Sequence, residues 1–521
     1  MKKRLFLLLM TGILFLAGCT VSSSKEGNST GVLEKSDESK QQTEGEEQEE
    51  TVETAETDTK QTEGGRYQWQ EISIVLPKDW EDRFVIVENE NGFSIYQKTS
   101  YDKEQYTGFI CGFSRMEEFV NYGAGESMVA YTDDRKMYYL MQPTDFSVDE
   151  KDKTVCEEYI AMCGDVMEIK DSLQIALSDV HYDAQEYVLP ISGLIPLKEE
   201  MIENFSDNEL WLSRNEIYAR HGRKFKNNYL QCYFNRCTWY EGTIEPDQFS
   251  EDDLSQIERD NLKLLVAAEE SYEQEHPYPK EYQISETAVE DLSGDGTPNK
   301  ITYKVNEMED GNYECVVTID GKDYRISELA YMVNPVTDAF YITDLSEYDE
   351  KLEIAVLDEG PSADPITSFF RYDGTLSYIG QVPGFPFKKR NNGVNGFNGL
   401  SGITGYLRTD LIETAYLSGY WWYDSENDFI SYQSTGWNEF LPTNGHVLYE
   451  DLPVHYAMDE TSAVTMIPAQ KEVFFLGSDM YEWILVKGKD GSMGYMRVKD
   501  GEILALGKPA DEVFSDLYYF D

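Results

Sequence analysis

The feature that most constrains this chain is a helix-start signature that occurs twice. Phe205-Ser206-Asp207-Asn208-Glu209-Leu210 offers a capping serine, a glutamate three residues on that can reach back, and a Phe–Leu staple across the first turn. Phe249-Ser250-Glu251-Asp252-Asp253-Leu254 repeats the pattern, so a second helix is expected to begin there. Between them lies a connection rich in aromatics and carrying Cys232 and Cys237. Two stapled helices around such a connection predict one compact helical module. On the first helix Leu210 and Ile217 face inward, and on the second Leu254, Ile257, Leu264 and Leu265 do. Glu251, Asp252, Glu258 and Asp260 read as the solvated face of the second helix.

The first helix runs into Tyr218-Ala219-Arg220-His221-Gly222. With this pentapeptide intact, residues 194–272 resemble the YARHG domain, a small module of bacterial envelope proteins. The resemblance implies an extracellular setting and brings no established chemistry. Two readings of the pentapeptide stay open. In one, Gly222 ends the helix in a left-handed conformation while Arg220 and His221 meet its negative end. In the other, Trp211, Tyr218, Arg220 and His221 receive an anionic or sugar-like group. Catalysis by His221 alone is disfavoured, because no Ser or Cys nucleophile is paired with it in the sequence.

The chain opens with the basic Met1-Lys2-Lys3-Arg4, an apolar run from Leu5 to Leu16 too short for a comfortable membrane span, and then Ala17-Gly18-Cys19. This resembles the bacterial lipobox, which implies that residues 1–19 are a lipoprotein signal and that Cys19 carries the lipid. Acyl chains there would hold the protein to the membrane, facing outward. Residues 20–66 are rich in Ser, Thr, Gln, Gly and Glu with almost no large apolar residues, so a disordered acidic tether is expected. The formal net charge of −54 argues against nucleic acid as a partner and against direct docking on anionic polymers.

Six further cysteines follow Cys19: Cys111, Cys156, Cys163, Cys232, Cys237 and Cys315. An exported chain permits disulfides, and Cys232 with Cys237 is the favoured pair. Cys156 and Cys163 would sit about 10 Å apart along one helix, too far to bridge. Cys111 and Cys315 lie in strand-like apolar runs and read as small buried hydrophobes. The histidines are scattered and no two CxxC pairs occur, which argues against a zinc site.

The fold class expected is multidomain α+β. Residues 67–192 alternate in strand fashion, with Asn89-Glu90-Asn91-Gly92 as hairpin turn chemistry, before Val155, Tyr159, Met162, Val166 and Ile169 recur at helical spacing. An antiparallel sheet with a helix on it fits. Residues 282–442 read as short strands in blade-like sheets, an incomplete propeller in outline. Within them Asp291, Ser293, Asp295 and Asn299 place oxygens as a calcium loop begins, although Thr302 stands where an EF-hand has its bidentate glutamate. Calcium and a calcium-free tight turn are both open there, and Asp344-Leu345-Ser346 begins a degenerate repeat of the loop. Residues 445–506, with Trp483 to Val486 and the turn Asp490-Gly491, resemble a bacterial Src-homology-3-like barrel. That resemblance implies envelope location and binding of wall peptides, with Trp483 in the core and Tyr456, Tyr481 and Tyr495 as groove candidates.

Together these features predict a lipid-anchored, extracellular, non-enzymatic binding or scaffolding protein at the cell envelope, associated with the wall. Its partners would be the membrane through Cys19 and a wall peptide or envelope protein. The alternative is a peptidoglycan hydrolase using a pair of carboxylates. Neither a nucleophile-elbow motif nor a zincin motif is present in the sequence.

Overall fold

The computed structural model describes residues 65–519 apart from 118–124, 150, 331, 347, 362–363 and 385–401. The leader with Cys19 and the acidic linker up to residue 64 lie outside the described residues.

The N-terminal unit is antiparallel. Strands Arg66–Trp69 and Ile72–Val75 pair with each other, and Gln174–Ile175 joins the second of them. A six-stranded sheet follows in the order Phe84–Glu88, Gly92–Gln97, Phe109–Met116, Met137–Met141, Glu126–Thr132, Val180–His181. The expected hairpin forms because the Asn89 side chain accepts from the backbone N–H groups of Asn91 and Gly92 at 2.8 and 2.9 Å. Three helices flank the sheet: α1 (Lys98–Lys103), α2 (Lys153–Gly164) and α3 (Val166–Asp171). Asp152 caps α2, which turns Cys156, Tyr159 and Met162 inward, and α3 adds Val166 and Ile169. The helical stripe is therefore core. Tyr159 satisfies its hydroxyl by donating to the Phe109 carbonyl at 2.8 Å, so burying the ring leaves no polar orphan.

Three helices make the central module: α4 (Asp207–Arg220), α5 (Asn228–Asn235) and α6 (Gln256–Glu275).

The β-rich region is a series of antiparallel sheets stacked face to face. A four-stranded meander runs through Ala288–Glu290, Asn299–Glu307, Tyr313–Ile319 and Lys322–Arg325. Beside it lies a five-stranded sheet ordered Lys280–Gln283, Ala339–Thr343, Glu353–Asp358, Ile366–Tyr372, Leu376–Pro383. Tyr303, Val317, Phe340, Ile354 and Phe370 share the core between these two sheets. A three-stranded sheet, Gly402–Thr409, Ala415–Asp424 and Phe429–Tyr432, packs on the other face of the five-stranded one through Leu357, Phe369, Trp421 and Tyr423. Covered on both faces, Glu353–Asp358 is buried at every position. Buried Arg371 serves this middle layer. Its guanidinium reaches Glu353 at 3.1 Å, Asp349 at 3.2 Å and Asp428 at 3.3 Å. Burial outweighs the attraction of Arg371 and pushes the Glu353 carboxyl up to about 8.

The C-terminal unit corrects the expectation of a closed barrel. Its nine strands form one sheet whose main path runs from Asn438–Glu439 to Val464–Ile467, and these two edges do not pair among the described residues. The sheet has no need to close on itself because other segments cover its apolar face. Ala415 and Leu417 of the preceding sheet, Ile412 of its hairpin loop, and Val513 and Phe514 from near residue 519 pack on Leu452, Val473, Ile484 and Val498. The core thus extends back beyond residue 445. Two hydrogen bonds fasten the chain end there: Thr414 N–H to the Tyr518 carbonyl at 2.7 Å, and Tyr518 N–H to Glu413 at 2.9 Å.

Candidate functional site

The site is built from the start of α4. Ser206 accepts from the Glu209 backbone N–H while the Glu209 carboxylate accepts from the Ser206 N–H at 2.8 Å, a complete capping box. The helix is then buried on opposite sides. Leu210 and Ile217 pack with Leu254, Leu262 and Leu265 of the later segment. Trp211, Leu212 and Ala219 pack with Phe225, Leu230, Phe234 and Tyr240. A helix enclosed this way must also satisfy its polar side chains internally, and Glu216 is fully buried.

Arg220 supplies that satisfaction. Its guanidinium donates to Glu216 Oε1 at 2.6 Å, to the Leu189 carbonyl at 2.8 Å and to Ser192 Oγ at 2.8 Å, and it lies 4.8 Å from the Tyr187 ring centroid. Glu216 in turn accepts from the N–H groups of Val188 and Leu189 at 2.5 and 3.2 Å. The pair therefore clamps the segment that enters the module onto α4. Burial raises the Glu216 carboxyl above its ordinary range, with Arg220 offsetting part of the rise.

The rest of the pentapeptide ends the helix. Gly222 has φ +75°, its N–H bonds to the Ala219 carbonyl at 2.8 Å, and the Arg223 N–H bonds to the Tyr218 carbonyl at 3.3 Å. These are the two bonds of a Schellman motif. A Cβ on Gly222 would stand 2.7 Å from Thr243 Oγ1, and the Gly222 carbonyl receives both the Thr243 and Ile244 N–H groups at 2.9 Å. Tyr218 packs edge-on against Phe249. His221 Nε2 meets Glu258 Oε1 at 2.8 Å.

Glu258 is where the sequence reading needs correction. The segment Glu251–Asp253 is a short 3₁₀ turn, and α6 begins after Ser255, with a capping box formed by Ser255 and Glu258. Ser255-x-x-Glu258 supplies the reaching glutamate that the Ser250 position lacks. Glu258 is consequently buried rather than on a solvated face. Although burial acts to raise its carboxyl, hydrogen bonds from Ser255 and His221 outweigh it and hold the group below its usual range. Sequence reasoning also missed Asn261, which accepts from Leu197 N–H at 2.8 Å and donates to the carbonyls of Ser192 and Ile195 at 2.6 and 2.8 Å. The i, i+4 spacing of Glu216 and Arg220 was the one local signal for the buried pair.

The four ligand candidates do not converge on a common recess. Tyr218 and His221 share Phe249 as a neighbour. Trp211 is buried beside Tyr229, and Arg220 is directed at the entering segment.

The expected Cys232–Cys237 bridge is not formed, and both thiols are free. Cys232 sits within α5 with its sulfur 3.6 Å from Asn444 Oδ1, whereas Cys237 lies past the helix end with its sulfur 3.7 Å from the Glu186 carbonyl. The helix holds the two side chains toward different neighbours. Cys111 and Cys315 are fully buried, as small hydrophobes.

In the loop considered for calcium, Asp291 Oδ1 accepts from the Gly294 and Asp295 N–H groups at 3.0 and 3.3 Å, and Oδ2 from Gly296 N–H at 2.6 Å. Asp295 accepts from Thr297 N–H at 2.7 Å, and Asn299 accepts from Leu292 N–H at 3.2 Å while donating to Asp320 at 2.8 Å. Ser293 lies in the same turn. The arrangement is an Asp-organised turn whose oxygens serve the backbone, and among the described residues no group of three His, Cys, Asp or Glu is set to hold a metal.

On the C-terminal unit a shallow open cleft of about 480 Å³ is lined by Asp410, Leu411, Tyr481, Glu482, Lys499 and Asp500. Of the groove candidates, Tyr481 is 81% exposed at this cleft and Tyr456 is also exposed. Tyr495 is buried against Trp437, and Trp483 belongs to the same buried cluster.

No curated protein and no solved structure matches the chain at a significant level. The helical module with its clamped entry segment does match: residues 185–270 are a YARHG domain.

Proposed function

We propose that this protein is a lipid-anchored component of the outer cell surface, held by Cys19, and that its folded units act as a non-enzymatic binding and scaffolding module against the wall. The observation that carries the binding role is the cleft at Tyr481. An exposed aromatic ring stands there with Asp500 and Lys499, beside Asp410 and Glu482, which pair with Arg408 and Arg497. A short peptide bearing both free amines and free carboxylates is the ligand that such a mixture complements, and the ring supplies contact area with few rotamers to immobilise. The scaffolding role is supported by the YARHG domain, whose pentapeptide spends its polar groups on internal bonds. The strong acidity of the chain favours a peptide over anionic wall polymers.

The test is co-sedimentation of protein beginning at residue 65 with purified wall sacculi, followed by mass spectrometry of the supernatant. Saturable retention that Tyr481→Ala weakens, with no soluble fragments released, is expected. Release of wall fragments by the pure protein would overturn the non-enzymatic reading, and absence of retention would overturn wall association.

A further inference from the structure

Glu186, near the start of the YARHG domain, ties the entry segment of that domain both to the segment after α5 and to the C-terminal sheet. It ends the 3₁₀ turn Ala184–Glu186 that follows the N-terminal sheet. Its Oε2 accepts from the Thr238 N–H at 2.5 Å and from the Thr238 hydroxyl at 2.8 Å, and its Oε1 meets Lys487 Nζ at 2.8 Å. Lys487 therefore reaches across from the strand Trp483–Gly488 of the C-terminal sheet, and it also donates to the Arg236 carbonyl at 3.0 Å. Two residues on, at the start of the Asp490-Gly491 turn, Lys489 Nζ donates to the carbonyls of Asn235 and Cys237 at 2.6 Å each and of Tyr240 at 3.0 Å.

An ammonium group has three N–H donors, and here each meets its own carbonyl. Asn235, the last residue of α5, contributes one of them, and carbonyls at a helix end have no partner within the helix and carry its negative partial charge. The Tyr240 ring lies 6.0 Å from the same nitrogen and adds a cation–π attraction. Partial burial holds the Lys489 ammonium below its ordinary range, and full burial pushes the adjacent Cys237 thiol up to about 12.

We infer that residues 235–240 of the YARHG domain are a receptor for an ammonium group, built to grip the Lys487-x-Lys489 hairpin of the C-terminal sheet, and that this grip closes the chain on itself. The partner is thus the chain's own last unit. With the YARHG domain packed on the N-terminal sheet through Ile191, beside Met128 and Tyr139, and bound to the C-terminal sheet through Lys489, the stacked sheets between α6 and residue 442 become a loop with both ends fixed. The entry segment of the YARHG domain then meets the C-terminal unit at a second point, through Glu186 and Lys487, without the intervening sheets carrying the connection.

The experiment uses the whole folded protein and hydrogen exchange read by mass spectrometry. Lys489→Met keeps the length of the side chain and removes the three donors. Exchange in peptides covering 228–241 is expected to accelerate by roughly tenfold or more, since charge-assisted bonds to buried carbonyls are lost. Lys508→Met on the same unit, which removes a half-exposed pair with Glu450, is expected to leave those peptides unchanged. Glu186→Gln, a milder change that weakens the hold on Lys487 and keeps an acceptor for Thr238, is expected to give a smaller acceleration in the same peptides. It keeps the test readable should Lys489→Met fail to accumulate. Wild-type exchange rates across 228–241 in both Lys489→Met and Glu186→Gln would overturn the inference, as would an equal acceleration in Lys508→Met.

Discussion

Replacing Arg220 with methionine separates a structural pentapeptide from a ligand-binding one. Methionine preserves much of the apolar stem and removes the guanidinium. Glu216, fully buried, would then keep only the N–H groups of Val188 and Leu189, while the Leu189 carbonyl would keep only the Ser192 N–H and the Ser192 hydroxyl would lose the Arg220 donor. Removing one partner of a buried ion pair costs about 3–5 kcal/mol. Because the Arg220 side chain retains some exposure, the lower end, about 3 kcal/mol, is the expectation. Urea unfolding followed by tryptophan emission reads it, since Trp211 and Trp239 both lie in the affected cluster. Combining Arg220→Met with Glu216→Gln should recover about 1–3 kcal/mol relative to the sum of the single changes. The pH dependence has a definite sign. Glu216 has its folded-state carboxyl raised, so its protonated form is the one the fold favours, and losing Arg220 raises it further. The gap between wild type and Arg220→Met should therefore narrow as the pH falls toward 5. A change below about 0.5 kcal/mol at neutral pH, within the range of ordinary surface substitutions, would refute the clamp.

Other outcomes follow from the same geometry. Gly222→Ala places a side chain on a residue with φ +75° and 2.7 Å from Thr243 Oγ1, so a loss of about 1–3 kcal/mol is expected in the same unfolding assay. Glu353 has a folded-state value of about 8 against 4.5 when free. Its contribution is thus fully present below about 4.5 and lost as the pH rises through about 8. Glu353→Gln should flatten the fall in thermal midpoint between pH 5 and pH 9, measured by calorimetry. Unfolding without reductant should let all six cysteines from Cys111 to Cys315 be alkylated, because all are free thiols, with mass spectrometry as the check.

Local chemistry in this chain was readable, and contacts across long sequence separations were not. Ser206 with Glu209 and the Asn89 turn act within a few residues, and both form as the sequence implies. The helical stripe from Tyr159 to Ile169 is core for the same reason, since its spacing alone fixes the face. At the second helix two serines competed as caps, and the one followed by a glutamate three residues on formed the box. That choice also decided Glu258, which looks like any exposed helical acid until His221, from a different helix, is brought against it. Lys487 and Lys489 resemble ordinary strand and turn lysines, and the carbonyls they bind lie about 250 positions earlier. The sheet of the C-terminal unit stays open because Ile412 and Ala415, which precede it, cover its apolar face, a contact that no periodicity within 445–506 encodes.

The claim that the YARHG pentapeptide serves the fold rather than a ligand is tested most directly with His221→Gln. The measurement is sacculus retention of the variant and of wild type, each corrected to its folded fraction, alongside the thermal midpoint. With His221 bound to Glu258 at the junction of α4 and α6, the account predicts a midpoint lowered by several degrees and retention equal to wild type. Retention lost at an unchanged midpoint would contradict it and make His221 a ligand-binding residue.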